Sequence, residues 1–386
     1  YNGLYEWFSA DFHDEVDSRP SSGNVDLNFL SVTYPLPVLI LGRNSSVGLY
    51  YQRKYDFSRQ FKLDFNHSSV GPRDKLVLNG FDKLDFEQEG GLSTITAAFA
   101  FEVTKRLSLG VAANFWRSTP FAENGWKQTM HRQAFAQRGT DFSLNRKTSE
   151  EEYKDFTGEN LTLGLLWNVS NKWNIGARYD SAFTGNADFT ARSLSFTNNL
   201  SSSQTGNNPF QLIPGYKSER RDVRFPATWA LGAAYRANKR LTLSGDITTT
   251  DWNEFYFKDS AHNRISLVNA GNFDQVIFPP KFNRTYTVRF GAEYVLVPNI
   301  PEETLNRLWT VRGGLYYDQE AASNEPDNFW GATAGIGVQL FGKINIDAAY
   351  QARWGNDVNS DFIRGIRGFD EDVMQHRFLL STVIYF

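Results

Sequence analysis

Hydrophobic and polar residues alternate along most of this chain, and the alternation comes in pairs of neighbouring segments. "AAFAFEVTKRLSLGVAANF", "LGLLWNVSNKWNIGARY", "LGAAYRANKRLTLSGD" and "GIGVQLFGKINIDAAY" each contain two alternating stretches around a short turn with Asn, Lys or Gly. A period of two places successive side chains on opposite faces of a strand, and such turns join antiparallel neighbours. The repeated unit is therefore predicted to be a β-hairpin.

Each predicted strand has one apolar face and one mixed face. In the first hairpin the apolar face carries Ile95, Ala97, Phe99, Phe101 and Val103. In a soluble β-sandwich such faces meet in the core, whereas in a transmembrane barrel they contact lipid and the other faces line the lumen. Alternation alone does not separate these two folds.

Four further features favour the barrel. The strands are about ten residues long, and short turns at one end oppose long loops at the other. Aromatic residues lie near strand ends, as they do at membrane interfaces; these are Trp116, Trp167, Trp309, Trp330 and Trp354. The chain also stops inside a strand, "FLLSTVIYF", which can pair with the first strand and leave no open sheet edge.

The strand pattern predicts a count as well as a fold. Alternating stretches lie near 25–35, 46–58, 84–103, 107–118, 153–168, 173–186, 220–236, 241–252, 281–296, 308–318, 328–341, 344–354 and 375–386. Long outer loops are predicted near 59–83, 119–152, 187–219, 253–280, 319–327 and 355–374. The first and last of these strands run in the same direction, and a bacterial barrel has an even number of strands.

One more strand is therefore expected before Val25, supplied by residues 1–12 or beginning before Tyr1. We predict an all-β fold: a single transmembrane antiparallel barrel over residues 1–386 with about 14 strands. Its periplasmic turns are short and its extracellular loops long, with residues 1–24 forming the end of the first strand and an outer loop.

Composition excludes several other classes of protein. The longest strongly apolar run, "PVLILG", is far shorter than the roughly 18–20 residues of a membrane helix. A net charge of -3 gives no sign of a nucleic-acid surface, and the absence of Cys excludes disulfides. The five His show no ligand spacing, and no phosphate loop or nucleophile elbow occurs. We predict no metal, no cofactor and no catalytic residue.

Two longer stretches resemble a known family. "FPATWALGAAYRANKRLTLSGDITTTDWNEF" is similar to a hairpin of the FadL-type outer-membrane transporters, with Phe225-Pro226 opening one strand and Trp252-Asn253-Glu254-Phe255 ending its partner. "WTVRGGLYYDQEAASNEPDNFWGATAGIGVQL" resembles the family's next landmark, and "LNFLSVTYPLP" and Phe386 fit as well.

The resemblance implies a 14-stranded barrel in the bacterial outer membrane that takes up long-chain fatty acids or aromatic hydrocarbons. It also implies an N-terminal hatch inside the lumen. A hatch is therefore expected, but no such segment with its Asn-Pro-Ala stretch is evident in this chain. The expected partners are a hydrophobic small molecule, outer-membrane lipid and lipopolysaccharide; the barrel is expected to be a monomer that binds no nucleic acid.

The family captures its ligand in a groove between outer loops, and two loops of this chain are rich in apolar residues. In 119–152 these residues follow a loosely helical spacing, and a second set lies in 187–219. The candidate ligand-binding residues are Phe121, Trp126, Met130, Phe135, Phe196, Phe210 and Leu212. The alternative is that these side chains only pack the loops against each other.

Two further sets of candidates lie on the predicted strands. Arg289 and Arg312, near the middle of neighbouring strands, are candidates for binding a ligand carboxylate; the alternative is that lumen charges compensate one another. Gly48, Gly90 and Gly91 are candidates for a strand kink that opens the side of the barrel, although Gly is also common in strands for packing.

Three rival functions fit the same fold. An outer-membrane hydrolase could use His131 or His376, which lie in or beside outer loops. A structural barrel would bind a protein partner and no small ligand. A general diffusion porin would conduct ions.

Overall fold

The computed structural model describes residues 2–10, 22–24, 27–70, 77–120, 122–200, 210–265, 282–297, 306–322, 325–358 and 369–385, nearly all of them in antiparallel strands. The strands are β1 (Asn2–Ala10), β2 (Ser22–Asn24), β3 (Phe29–Pro35), β4 (Ser45–Asp56), β5 (Arg59–Val70), β6 (Val77–Thr104), β7 (Leu107–Trp116), β8 (Gly125–Arg138), β9 (Asp141–Asn168), β10 (Trp173–Asp180), β11 (Phe183–Leu200), β12 (Phe210–Phe225), β13 (Thr228–Arg236), β14 (Leu241–Asp251), β15 (Tyr256–Lys258), β16 (Arg264–Ile265), β17 (Arg284–Leu296), β18 (Arg307–Glu320), β19 (Asp327–Leu340), β20 (Ile344–Val358) and β21 (Phe369–Ile384). A 3-10 turn spans Trp252–Glu254. Among the described residues, no helix combines the length and the apolar composition that crossing a membrane requires.

The wall of the fold is a closed ring of strands. In order around the ring it consists of β1, β2 with β3, β4, β6, β7, β9, β10, β13, β14, β17, β18, β19, β20 and β21, which makes fourteen positions among the described residues. Gly3 of β1 lies opposite Gly23 on one side and His376 on the other, so β1 closes the ring. The predicted all-β barrel of about 14 strands is confirmed, and Asn2–Ala10 forms its first strand.

The two faces of the wall differ in chemistry. On β18, Trp309, Val311 and Leu315 are exposed on one face, while Arg312 alternates with them on the other. A bilayer requires an apolar outer surface, and a lumen can hold polar side chains because water and neighbouring strands satisfy them. The alternation seen in the sequence therefore separates lipid-facing from lumen-facing residues.

Short turns connect the strands at one end of the ring. Asn238 Oδ1 accepts hydrogen bonds from the backbone N–H groups of Arg240 (2.8 Å) and Leu241 (2.9 Å). Thr104 Oγ1 accepts one from the N–H of Leu107 (3.0 Å). These side chains satisfy backbone donors that a tight turn leaves without a strand partner, which explains the Asn and Thr in the repeated hairpins.

At the other end, the long outer connections contain β-hairpins, which the sequence pattern did not predict. β6 and β9 have 28 residues each and continue beyond the wall. Their upper parts, 77–91 and 141–154, pair with β5, β8 and β11, and the pairing continues through β12, β15 and β16; we call this extension of the sheet the outer sheet. Hairpins of this sheet occupy the described parts of 59–83, 119–152 and 187–219. Their backbone groups are satisfied because each strand pairs within its own hairpin or with a strand of a neighbouring hairpin.

Irregular backbone marks the junction between wall and outer sheet. Lys154 and Thr157 of β9 are three residues apart, whereas their partners on β11, Asp188 and Asn186, are two residues apart. β9 therefore carries one extra residue there. Asp155, within this bulge, has a φ of 51°. A bulge turns the strand and redirects the side chains beside it. It thereby directs Phe156, which is fully buried, into the mouth of the barrel.

Candidate ligand path

The main apolar core of the described residues lies at the junction between the wall and the outer sheet. It consists of Leu92, Trp116, Tyr153, Phe156, Phe183, Ala187, Phe189, Ala191, Val223, Phe225 and Phe257. Most of these residues lie at a strand end or beside a bulge, so the core forms only when distant strands meet. A buried aromatic core is unusual for a lumen that is filled by polar side chains.

Phe225, the last residue of β12, is the centre of one group of rings. Its ring centroid lies 5.2 to 6.0 Å from those of five other rings. We call these six residues the mouth group: Tyr55, Trp116, Phe156, Phe183, Phe225 and Phe255. They come from the wall strands β4, β7 and β9, from β11 and β12 of the outer sheet, and from the segment after the 3-10 turn, so rings from the wall and from the outer sheet meet at the mouth of the barrel.

Glycines make room for this packing. A Cβ at Gly158 would lie 2.8 Å from the ring of Phe183, and a Cβ at Gly185 would lie 2.3 Å from the ring of Phe156. Both distances are too short for non-bonded carbon atoms. The two rings therefore lie against the backbone of a neighbouring strand, where any larger residue would displace them.

A second group of rings continues from the mouth onto the outer sheet. Trp126 stacks on Tyr153 with a centroid distance of 4.2 Å, and Tyr153 lies 4.8 Å from Phe189 and 5.6 Å from Phe257. We call Trp126, Tyr153, Phe189 and Phe257 the outer group. Phe257 lies 5.5 Å from Phe255, so the two groups form one continuous aromatic track.

A buried arginine lies at the outer end of this track. Arg221 is 9% exposed and its guanidinium carbon lies 3.3 Å from the ring centroid of Phe189. Its Nε donates to Glu219 Oε1 (2.7 Å) and its Nη1 donates to the hydroxyl of Tyr153 (2.7 Å). The stacking and the two hydrogen bonds fix the plane of the guanidinium group.

The carboxylates near Arg221 differ in their protonation equilibria. Burial acts to raise the pKa of Glu219, but hydrogen bonds from Arg221 and Lys217 outweigh it and hold that pKa below its usual value. Burial raises the pKa of Glu151, which accepts a hydrogen bond from Gln128 Nε2 (2.7 Å). Glu219 is therefore the more strongly ionised of the two.

The predicted groove residues lie on two different faces of the outer sheet. Trp126 and Met130 share the inner face, which we define as the face that carries Tyr153 and Phe189. On the opposite, outer face lie Phe135, Phe196, Phe210 and Leu212. Phe121 is outside the described residues. Of these candidates, the aromatic track includes Trp126 alone.

The helical spacing expected in 119–152 was wrong, because Gly125–Arg138 is the strand β8. Apolar residues at 126 and 130 fit both a helical and an alternating pattern, and their separation of four residues places them on one face in either case. Residue 135 distinguishes the two patterns, since an odd separation from Trp126 places it on the other face of a strand. Ligand binding by the outer-face residues stays a prediction.

Arg289 and Arg312 lie on the lumen face of β17 and β18 and already have acidic partners. Arg289 Nη1 lies 3.1 Å from Asp246 Oδ1. Arg312 Nε lies 2.8 Å from Glu293 Oε2, and its Nη1 also contacts Asp347. These pairs account for both arginines as compensated lumen charges. Their role in carboxylate binding stays a prediction.

The glycine candidates for a kink differ in their surroundings. Gly48 pairs in regular register with Thr33 and Ala98, so the backbone of β4 shows no break there. Gly90 has a φ of +116°, and a Cβ on it would lie 2.4 Å from a backbone oxygen of Gly125. Gly90 and Gly91 lie where β6 passes from the wall to the outer sheet. A side opening at either site stays a prediction.

The histidines named for a hydrolase lie in unrelated places. His131 lies on β8 with its Nδ1 3.1 Å from Thr148 Oγ1, and His376 lies on β21 with its Nδ1 2.5 Å from the hydroxyl of Tyr350. Across the described ranges, no group of His, Asp and Glu has an arrangement that could hold a metal ion.

Sequence reasoning missed nearly all of the aromatic track. The available signal was an aromatic residue where an alternating stretch ends, as in "KYDF" with Tyr55 and "ANFW" with Trp116. Trp116 was interpreted only as an interfacial aromatic residue and Tyr55 was not singled out, since the pattern of a single strand does not show that its end faces the lumen.

Comparisons with known proteins agree with this architecture. A family model described as "Outer membrane protein transport protein (OMPP1/FadL/TodX)" matches residues 90–367. The crystal structure of a Pseudomonas aeruginosa FadL homologue is 16% identical, with a TM-score of 0.52 over 99% of this chain and 88% of that chain. The Pseudomonas putida toluene transporter TodX is 12% identical, with a TM-score of 0.46 over 100% of this chain and 89% of that chain. No curated protein sequence matches significantly. The first structure shows that the fold is shared.

Proposed function

From the premise that this chain belongs to the OMPP1/FadL/TodX family of outer membrane transport proteins, we propose that it takes up long-chain fatty acids or aromatic hydrocarbons along the aromatic track. The family places the chain in the bacterial outer membrane as a transporter of hydrophobic molecules and not as an enzyme. The class of substrate and the route through the barrel are the new parts of the proposal.

The continuity of the aromatic track carries this proposal. A water-filled pore disfavours apolar solutes, because exposing apolar surface to water costs about 25 cal/mol per Å². Rings that contact each other from Trp126 to Phe225 offer an apolar surface along the whole step from the outer sheet to the lumen. A hydrophobic molecule that displaces these rings one after another exchanges one apolar contact for the next.

The packed rings also explain how uptake is selective. Phe156 is fully buried and Phe225 is 5% exposed, so the mouth group closes the path in this structure. Only a solute that gains contacts with the displaced rings offsets the loss of their mutual packing. A hydrated ion would have to lose its water shell to enter, and contacts with neutral rings do not offset that cost.

The proposal includes a side exit from the barrel beside β4. The register between β4 and β6 breaks between Arg53 and Tyr55, where β4 carries an extra residue. Gly91 follows on the partner strand, at the end of this pairing. A weakened seam between these two strands, close to the mouth group, supports a route into the membrane that avoids bulk water.

The first experiment measures uptake of a labelled fatty acid and of labelled toluene by cells that express the protein. Trp126→Ser and Phe225→Ala are expected to lower uptake by about tenfold, because each replaces a ring of the track with a small side chain. Phe210→Ser, on the outer face of the outer sheet, measures what that face contributes. Gel mobility of unheated samples controls for folding of the barrel.

The outcomes separate the two surfaces. Reduced uptake in the track variants with little change in Phe210→Ser supports the track. Normal uptake in both track variants contradicts it, and a loss in Phe210→Ser alone would instead assign ligand capture to the outer face.

A further inference from the structure

A groove runs across β19, β20 and β21 on the outside of the wall. Its volume is about 590 Å³. Ala334 and Ala348 contribute to its floor, and longer side chains stand at its edges; these are Ile336, Tyr350, Phe378 and Leu380. Phe378 is 53% exposed and Leu380 is 78% exposed, so these edges project from the wall. We call this feature the wall groove.

The strand register places the wall groove on the lipid-facing side. Val311, on the apolar face of β18, lies opposite Ile336 of β19. Ile336 lies opposite Ala348 of β20, and Ala348 lies opposite Leu380 of β21. Side chains of directly opposed residues share one face of a sheet. Membrane lipid therefore covers the groove, and an unfilled groove would lose van der Waals contacts on both sides.

The wall groove lies in the outer half of the membrane. Trp330 and Trp354 are cross-strand neighbours at the end of the wall that meets the outer sheet, where an aromatic pair fits the membrane interface. Leu380 lies near the middle of the span, and His376 lies four residues closer to the outer end. Four residues of a strand span about 13 Å. That length is close to half of a hydrocarbon core of about 30 Å, so the groove matches an acyl chain of the outer leaflet.

Two polar side chains lie at the outer end of the wall groove, on its lipid-facing side. Tyr350 lies opposite Phe378, and His376 lies opposite Ala352 in the next row. A hydrogen bond of 2.5 Å links the hydroxyl of Tyr350 with Nδ1 of His376, and the two rings stack at a centroid distance of 5.9 Å. Polar side chains are costly on a surface that faces lipid. A hydroxyl can donate one hydrogen bond and accept two, so Tyr350 can also bind a polar atom of a lipid.

We propose that the wall groove binds an acyl chain of lipid A, the phosphorylated glycolipid that anchors lipopolysaccharide, with a polar oxygen of that lipid at Tyr350 and His376. Lipid A fits the position because it occupies the outer leaflet and combines acyl chains with ester and phosphate oxygens. β21 also pairs with β1 to close the ring, so a lipid held across β19, β20 and β21 stabilises the strands beside the closure. The inference is independent of the uptake route, because the aromatic track lies on other strands.

Native mass spectrometry of the full chain in non-ionic detergent, titrated with hexa-acylated lipid A, tests this assignment. We expect one lipid A to bind each protein more tightly than any further lipid. Ala348→Phe fills the floor of the groove and should weaken this binding by about tenfold. Ala292→Phe is the matched control, because Ala292 lies opposite Gly313 on the lipid-facing side of β17. Its binding should stay within about twofold of the wild type.

Tyr350→Phe tests the polar end of the groove separately. It keeps the ring and removes the hydroxyl, so binding of lipid A should weaken by about fivefold through loss of one hydrogen bond. The heat-modifiable gel form shows that each variant is a folded barrel. Dimyristoylphosphatidylcholine serves as a second probe, since it has acyl chains but lacks the glycolipid head.

The outcomes separate the possible occupants. Loss of the first lipid A in Ala348→Phe, with retention in Ala292→Phe, supports the proposal. Equal binding by these two variants overturns the groove as the site, and unchanged binding by Tyr350→Phe overturns the role of the hydroxyl. Tighter binding of dimyristoylphosphatidylcholine that Ala348→Phe abolishes would assign the groove to phospholipid. A dimer that only Ala348→Phe dissociates would assign it to a second copy of the chain, and both results overturn lipid A as the occupant.

Discussion

At the scale of single residues, aromatic rings lying on glycines recur throughout the wall. A Cβ at Gly331 would lie 2.0 Å from Cζ of Tyr316, and a Cβ at Gly355 would lie 2.6 Å from the ring of Phe329. Both rings are buried although they belong to a hollow fold. Glycine on the neighbouring strand lets the ring lie flat against the backbone, which buries apolar area without a second layer of structure.

Gly331→Ala is expected to destabilise the barrel by about 1–3 kcal/mol, because the new methyl group overlaps the ring of Tyr316. Tyr316 would have to leave the wall and lose its hydrogen bond from Gln351. Gly164→Ala is the matched control, since a Cβ there meets no atom within 4 Å. Thermal unfolding in detergent measures both, and equal melting temperatures would show that the ring moves without cost.

The residues of the aromatic track show which site features a sequence can reveal. Trp126 was predicted as a ligand-binding residue because it lies in an apolar part of a long loop. Arg221 gave no such signal, because "SERRDVRF" contains three arginines within five residues and only one of them is buried against a ring. The choice among the three depends on which face of β12 lies on the same side of the sheet as Tyr153 and Phe189, and that is a long-range property.

At the scale of elements, the wall could be predicted and the outer sheet could not. The wall strands alternate because lipid selects apolar residues on every second position. The outer sheet has water on one face and charged residues within its inner face, so "SEEEYKDF" in β9 resembles a solvated loop. The backbone pairing with β8 and β11 stabilises this segment, and pairing between residues 19 to 44 positions apart leaves no local periodicity.

The bulge in β9 gives an element-scale prediction. Asp155 adopts a φ of 51°, a left-handed conformation that Asp and Gly tolerate and β-branched residues disfavour. Asp155→Gly should retain stability and uptake, whereas Asp155→Val should lose about 1–2 kcal/mol and displace Phe156 from the mouth group. Unfolding midpoints and fatty acid uptake measure the two effects. Equal behaviour of the two variants would mean that the bulge does not position Phe156.

At the scale of the whole molecule, the position of β1 decides whether the barrel closes. A membrane leaves no water to satisfy the N–H and C=O groups of an open strand edge. Because a bacterial barrel has an even number of strands, the strands counted in the sequence required one more before Val25. β1 fills that position between β2 and β21. The closure therefore rests on backbone pairing of Asn2–Ala10 with Phe369–Arg377 and not on the aromatic contacts at the mouth.

Removal of residues 1–24 should prevent closure, because it leaves β3 and β21 as two unpaired edges inside the membrane. The variant is expected to lose the compact, heat-modifiable form that a closed barrel shows on a gel after refolding into lipid. A matched control replaces residues 195–213, the tip of the β11–β12 hairpin, with Asn-Gly, since Leu194 and Pro214 are cross-strand neighbours. That change removes a similar number of residues but no wall strand, so the control should keep the compact form. A compact form in both variants would show that the remaining wall strands close without β1, and the fourteen-position ring would then be only one of two arrangements that this sequence can adopt.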